Sequence, residues 1–300
     1  MTEKIKMTFL GTGAMIPNEK RGHPAFLLTY KEENILIDCG EGTQIQFRKA
    51  KLNPCRVTKI LITHWHGDHT FGLPGLLRTL ETSGYKNKMY IYGPKGLKRH
   101  MEEMFTAFGE ITEFKIEVIE VSGRLFENQD FYLEAEKMIH VQPCNAYSFI
   151  LKDKTRIDKV KMKKLKLPEG KHIQELKLGK DIIIEGKKFK AKDLIFKEKG
   201  KKISIILDTL MNNNTISLAK DSDLLVCEAS FGKDQANLAM EYKHLTAEQA
   251  GQIAKKAGVK KLVLAHLSQR YDKDPGKILS EAKKIFKNVH LAKDLDVISV

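Results

Sequence analysis

Apolar and polar positions follow two alternating rhythms along the chain. Residues 5–10 alternate with the period of two expected of a strand, and Gly11-Thr12-Gly13 then turns the chain. Residues 25–30 and 34–38 read as a hairpin, with a helix predicted over 44–51. The apolar run 57–62 reads as a buried strand. Residues 71–82 switch to helical spacing, with Leu73, Leu76, Leu77 and Leu80 on one face. A strand over 89–92, a helix over 95–108 and strands over 115–121, 131–141 and 147–151 follow. After residue 202 the rhythm resumes with strands at 203–209, 224–228 and 261–265, and helices near 213–220, 246–257 and 275–286. The helix at 246 starts on Thr246 as N-cap, with Glu248 and Gln249 in its first turn. Short strands close the chain. Strands and helices alternate in both halves, which predicts an α/β fold.

Residues 152–202 interrupt this pattern with lysine-rich, breaker-punctuated sequence, and we read them as an inserted arm of short elements in a single domain spanning 1–300. Charge sharpens that reading. Residues 151–202 hold 19 Lys+Arg against 8 Asp+Glu, a net +11 of the chain's total of +14. A basic segment in a nearly neutral body points to a polyanionic partner. The apolar fraction of 42% and charged fraction of 30% fit an ordinary globular protein. No apolar run reaches membrane-spanning length, so no membrane partner is expected. The N-terminus passes into a strand without a signal-peptide h-region, and a cytoplasmic location is expected. Cys39, Cys55, Cys144 and Cys227 are widely spaced, which excludes a Cys-x-x-Cys zinc site and argues for reduced thiols.

The candidate chemistry lies just after the strand at 57–62. Ile62-Thr63-His64-Trp65-His66-Gly67-Asp68-His69 places three imidazoles and a carboxylate in one loop. Neutral imidazoles and carboxylates are the usual ligands of borderline divalent metals. Asp38, His140, Asp208 and His266 each stand at the C-terminal end of a strand-like run, where α/β folds place their sites. Asp38 is read as a residue supporting the ligands. His64, His66 and His140 would serve one metal, and Asp68, His69 and His266 a second, with Asp208 bridging. That arrangement suits two-metal hydrolysis of a phosphodiester.

His64-Trp65-His66-Gly67-Asp68-His69 with these partners resembles the metallo-β-lactamase superfamily. The resemblance implies a four-layer αβ/βα sandwich. Further segments narrow it: Phe9-Leu10-Gly11-Thr12-Gly13, Ile37-Asp38-Cys39-Gly40-Glu41-Gly42-Thr43-Gln44, Cys227-Glu228-Ala229-Ser230-Phe231, His244-Leu245-Thr246 and Ala265-His266-Leu267-Ser268-Gln269-Arg270-Tyr271. Together, and essentially end to end, these resemble ribonuclease Z, the tRNA 3′-processing endonucleases.

The resemblance implies a zinc-dependent endoribonuclease that removes the 3′ trailer from precursor tRNA. It leaves a 3′-hydroxyl on the tRNA and a 5′-phosphate on the trailer. It implies two Zn²⁺ per subunit, and the ligands also suit Mn²⁺. It implies a homodimer in which the arm grips precursor tRNA, with Lys163, Lys164, Lys166 and Lys171 as arm contacts. Asp68 corresponds to the family's proton acceptor. Glu228 would position His244 to protonate the departing ribose oxygen. Ser268 and Arg270 would hold a backbone phosphate. The sequence departs from the family at Lys171, where Pro-x-Gly-Pro usually ends in proline, at Ala146 before Tyr147, and at Leu207 before Asp208. The rival readings are a sister hydrolase of small phosphodiesters or sulfate esters, and an RNA-binding protein with an inactive metal site.

Overall fold

The computed structural model describes residues 4–109 and 112–300; the first three residues of the N-terminal run lie outside the described residues. It divides into two compact units. The first comprises 1–127, 132–149 and 202–300, and the second 128–131 and 150–201.

The first unit opens with β1 (Lys6–Gly11), β2 (Ala25–Tyr30) and β3 (Glu33–Ile37), then α1 (Thr43–Lys49) and β4 (Lys59–Leu61). The metal-type motif follows and contains α2 (Gly67–Thr70). After it come α3 (Leu73–Thr82), β5 (Met89–Gly93), α4 (Leu97–Phe108) and β6 (Ile116–Glu120). Next are β7 (Gly123–Glu127), β8 (Phe131–Met138) and β9 (Cys144–Leu151).

The second unit contributes β10 (Lys154–Ile157), α5 (Lys159–Lys164), α6 (His172–Lys177), β11 (Ile182–Ile184), β12 (Lys187–Phe189), α7 (Ala191–Leu194) and β13 (Ile195–Glu198). The first unit resumes with β14 (Lys202–Ile206), α8 (Asn213–Ala219), β15 (Leu224–Glu228) and α9 (Ala236–Glu241). It ends with α10 (Ala247–Lys256), β16 (Leu262–Ala265), α11 (Pro275–Ile285), β17 (Val289–Leu291) and β18 (Val297–Ser299).

Two seven-stranded sheets form the body, in the orders β18-β1-β2-β3-β4-β5-β6 and β17-β16-β15-β14-β9-β8-β7. Each buries one face under helices. Leu73, Leu76, Leu77, Leu80, Leu97 and Met101 cover Leu27, Leu36, Ile60 and Ile91 in the first. Ala250, Ile253, Ala254, Ile278 and Ala282 cover Leu225, Cys227, Leu262 and Leu264 in the second. The other faces meet each other. Tyr30 and Phe149 rings lie 5.8 Å apart, and Tyr147 Oη donates to the Ile62 carbonyl at 2.6 Å. The result is the four-layer αβ/βα sandwich. Burial on both faces explains why the central parallel strands read as continuous apolar runs.

The structure corrects several boundaries. The strand predicted over 131–141 stops at Met138, so His140 lies in the following loop. Phe71, predicted inside a helix, sits at the break between α2 and α3, where Gly72 and Pro74 restart the chain. The edge strand β7 and the helix α9 were not anticipated. The Thr246 N-cap is present as a full capping box with Gln249.

The second unit has an apolar cluster of its own, built from Met162, Leu167, Leu176, Ile182, Phe189, Ala191 and Leu194. It is therefore more than a string of short elements. Lys163, Lys164, Lys166 and Lys171 belong to this unit and are exposed. Among the described residues no helix is long and apolar enough to cross a membrane. All four cysteines are free thiols, three of them buried.

Candidate metal centre

The centre forms where strand ends of both sheets meet. The strand β4 delivers Thr63 and His64, and the loop then alternates. His64 and His66 face the cluster, while Trp65 packs among the helix-side apolar residues and stacks on His100 at 5.1 Å. The short helix α2 carries Asp68 and His69. Glycine is required beside it: a Cβ on Gly40 would fall 2.4 Å from the Asp68 carbonyl, and one on Gly72 2.0 Å from the Gly40 carbonyl. That closeness lets Cys39 N–H donate to the His69 carbonyl at 2.8 Å.

From the second sheet, the His140 loop is tied to the Asp208 loop by Leu210 N–H on the Ile139 carbonyl (2.9 Å). His266 follows β16 directly. Asp38, Asp208 and His266 all adopt positive φ, at 56°, 29° and 56°. Non-glycine residues held there mark strain that the surrounding structure overrides, as it does at functional sites.

The imidazole nitrogens converge. His66 Nδ1 lies 2.9 Å from His64 Nε2 and 3.2 Å from His140 Nε2, and His69 Nε2 lies 3.2 Å from His266 Nε2. Asp208 stands among them, with Oδ2 at 3.5 Å from His64, 3.4 Å from His69 and 3.9 Å from His140, and Oδ1 at 3.3 Å from His266. Asp68 Oδ2 is 3.4 Å from both His69 and His266.

Two buried carboxylates organise the rings in the same way. Asp38 Oδ2 accepts from His69 Nδ1 (2.7 Å) and from the Thr63 hydroxyl (2.8 Å), which in turn accepts from His64 Nδ1 (3.1 Å). Glu228 Oε2 accepts from His244 Nδ1 (3.0 Å) and from the Ser230 hydroxyl (2.6 Å), which accepts from His266 Nδ1 (2.8 Å). Each carboxylate thus holds one imidazole directly and a second through a hydroxyl. His140 Nδ1 donates to the Lys243 carbonyl at 3.1 Å. These outer bonds fix the tautomers and leave bare nitrogens facing inward on His64, His69, His140 and His266.

Bare lone pairs about 3 Å apart repel, and a cation between them removes the repulsion. Asp208 Oδ1 makes the same demand, since it is buried without a hydrogen-bond donor. The donor set, imidazole with carboxylate, suits a divalent metal. Among the described residues, His64, His66, His140 and Asp208 form one group with metal-ligating spacing, Asp68, His69 and His266 another, and Asp208, Glu228, His244 and His266 a third. The electrostatics agree. Burial, reinforced by neighbouring imidazoles, holds His64, His66 and His140 below the usual histidine range, as ligation requires. At His69 burial opposes positive charge, but Asp208, Asp68 and Asp38 outweigh it, so without a cation the inward nitrogen is drawn to a proton and with one it is free to ligate. The carboxylates there call for a positive charge.

His244 differs from the others. Burial disfavours its charge, but Glu228 and then Asp208 outweigh burial and raise it to about 9. The two carboxylates thus favour the protonated ring. His244 lines a cavity of about 620 Å³ together with His66, Asp68, Asp208, Phe231, Ser268 and Arg270. Arg270 lies over the Phe231 ring at 5.7 Å and donates to Ser268 Oγ at 3.3 Å. Among the described residues its guanidinium has no carboxylate partner.

All the residues named from the sequence outside the second unit are thus brought together. Sequence reasoning missed Thr63 and Ser230, whose hydroxyls carry the ring orientation. Replacing Ser230 by alanine is expected to weaken metal retention about 10- to 100-fold, with threonine restoring it. A chelator-competition titration of both variants checks this; wild-type retention in the alanine variant would dismiss the bridge.

The comparisons with known proteins agree with this geometry. The sequence matches the family model described as "Anti-Pycsar protein Apyc1" over residues 5–247. It is 38% identical to a ribonuclease Z of Listeria monocytogenes serotype 4b over 304 residues, covering 99% of each chain. It is 36% identical to the ribonuclease Z of Streptococcus gordonii, covering 99% of this chain and all of that one. The crystal structure of human tRNase Z, short form, superposes with a TM-score of 0.71 at 30% identity, over 98% of this chain and 99% of that one. The paired imidazole clusters, the Glu228–His244 couple and the full-length likeness converge: the chain belongs to the ribonuclease Z family, on the metallo-β-lactamase fold.

Proposed function

We propose that this chain is an endoribonuclease that removes the 3′ trailer from precursor tRNA, leaving a 3′-hydroxyl on the tRNA and a 5′-phosphate on the trailer. The observation that carries the reading is His244, which lines the same cavity as His66, His140 and His266 and is held from behind by the buried Glu228 at 3.0 Å. A metal-binding hydrolytic site alone leaves the substrate open. An imidazole held protonated by a carboxylate supplies what an RNA phosphodiester lacks, a proton for a poor leaving group.

His64, His66, His140, Asp208, Asp68, His69 and His266 would hold two divalent cations, zinc or manganese. When bound, such cations activate water and neutralise charge on the phosphate. The protein's own groups do the rest. The Asp68 carboxylate accepts the proton that the attacking water gives up. Water oxygen bonds to phosphorus as the P–O3′ bond breaks. His244 uses Nδ1 to hold Glu228, which leaves Nε2 to hand its proton to the departing 3′-oxygen. Ser268 and Arg270 hold a neighbouring phosphate, the latter through its fork of donors.

In this reading the basic second unit, with Lys163, Lys164, Lys166 and Lys171, grips the folded tRNA by shape and phosphate, and the enzyme works as a cytoplasmic homodimer. Leu151 N–H donates to the Lys201 carbonyl at 2.8 Å, so a short glycine turn can rejoin the chain when residues 152–200 are removed. That deletion is expected to raise KM for precursor tRNA about tenfold or more. The defect should not extend to bis(p-nitrophenyl) phosphate. Unimpaired tRNA cleavage by the deletion variant would remove the second unit from tRNA binding.

A further inference from the structure

The cavity's floor is imidazole and carboxylate, but its exposed lining is mostly apolar, with Gln269 and Arg270 as exposed polar members. Met15 (73% exposed), Phe71 (70%), Val141 (56%), Ile16 (50%) and Tyr242 (50%) all line it. Single exposed apolar side chains are ordinary; five around one catalytic cavity indicate a contact surface. Phe71 is the most closely fixed. It stands at the break between α2 and α3, and its ring covers Gly67 so closely that a Cβ there would fall 2.2 Å from Cζ. Gly67 is the residue between His66 and Asp68, so an exposed aromatic plate is held directly beside the metal-type motif.

We infer that Phe71 stacks on the nucleobase that follows the scissile phosphate, the first base of the trailer. The inference rests on the proposed reaction. There, His244 protonates the ribose 3′-oxygen, which puts the retained nucleoside on the side of the loop carrying Tyr242 and His244. The nucleoside on the far side of the phosphate is then placed toward the motif loop and Phe71, which line the same cavity. A phosphodiester in this cavity brings a base on each flank. Every base offers a π-face, so an aromatic plate binds without demanding a sequence. Trailers of differing sequence share only that feature, and the mostly apolar exposed lining suits it better than a set of hydrogen-bonding groups would.

The test uses the full-length protein and two precursor tRNAs that differ only at the first trailer nucleotide, one with a base and one abasic. Wild type should cleave the abasic precursor with kcat/KM about tenfold lower, the loss expected of one base–aromatic stack. Phe71→Ala should show the same loss on the normal precursor and no further loss on the abasic one, while Phe71→Trp should behave as wild type. Equal cleavage of both precursors by wild type overturns the inference, and that comparison requires no variant to fold. So does an alanine defect of the same size on both precursors. If wild type fails to cleave either precursor, the proposed function falls, and this inference with it.

Discussion

Asp208→Asn is expected to lower kcat/KM on precursor tRNA by about 10³-fold or more and to release metal from the protein. Asp208 is the carboxylate shared by the cluster, within 4 Å of ring nitrogens on His64, His69, His140, His244 and His266. Those rings and burial pull in opposite directions, and the rings win, holding its carboxyl well below the usual range. Asparagine keeps the shape and removes the charge, so the change tests electrostatics and not space. Losing several kcal/mol of charge stabilisation in the transition state corresponds to about three powers of ten. Metal content by elemental analysis should fall in parallel. A variant that keeps both metal and rate would show that Asp208 is not shared between the two ligand groups.

His244→Ala is expected to produce the second large loss, about 10²- to 10⁴-fold on precursor tRNA, the range of general acid catalysis. Its defining feature is dependence on the leaving group. A ribose oxygen needs a proton as it departs, whereas p-nitrophenolate does not. The same variant should therefore lose far less on bis(p-nitrophenyl) phosphate. Metal content should stay near wild type, because His244 Nδ1 is engaged with Glu228 and two of the three ligand groups do not include His244. Glu228→Gln should lie between wild type and His244→Ala on RNA, since glutamine can still accept from the ring but does not favour its charge. Equal losses on both substrates would remove His244 from the role of acid.

Much of this site is legible in the sequence because ligand identity is a matter of residue type and strand ends. His64, His66, Asp68 and His69 stand in one loop, and Asp208 and His266 follow apolar runs that parallel strands make conspicuous. Less visible is what orients the rings. Thr63 and Ser230 are ordinary hydroxyl residues, and nothing in their spacing announces that one links Asp38 to His64 and the other Glu228 to His266. The positive φ of Asp38, Asp208 and His266 is equally silent, because in each case tertiary contacts override the residue's own preference.

The fold shows the same division. Local patterns mark most strands and helices, including the Thr246 capping box. The pairing of β18 with β1 joins the two ends of the chain and has no local signature. The edge strand β7 is only half-buried, so its alternation is weak. In the second unit, lysines separate Met162, Leu167, Leu176, Ile182, Phe189 and Leu194, which have no single period, and its core stays hidden until the chain is folded. Phe71 shows the limit well. The helical spacing predicted over 71–82 gives it no separate place, whereas the break at Gly72 leaves it exposed in the cavity lining.

The most direct test of the central claim is to map the ends of the products. Precursor tRNA labelled at either end is incubated with the protein, with and without a chelator. One endonucleolytic cut after the acceptor stem is expected, with a 3′-hydroxyl on the tRNA, a 5′-phosphate on the trailer, and no cleavage once metal is removed. A 2′,3′-cyclic phosphate on the tRNA, or cleavage that survives the chelator, would contradict it.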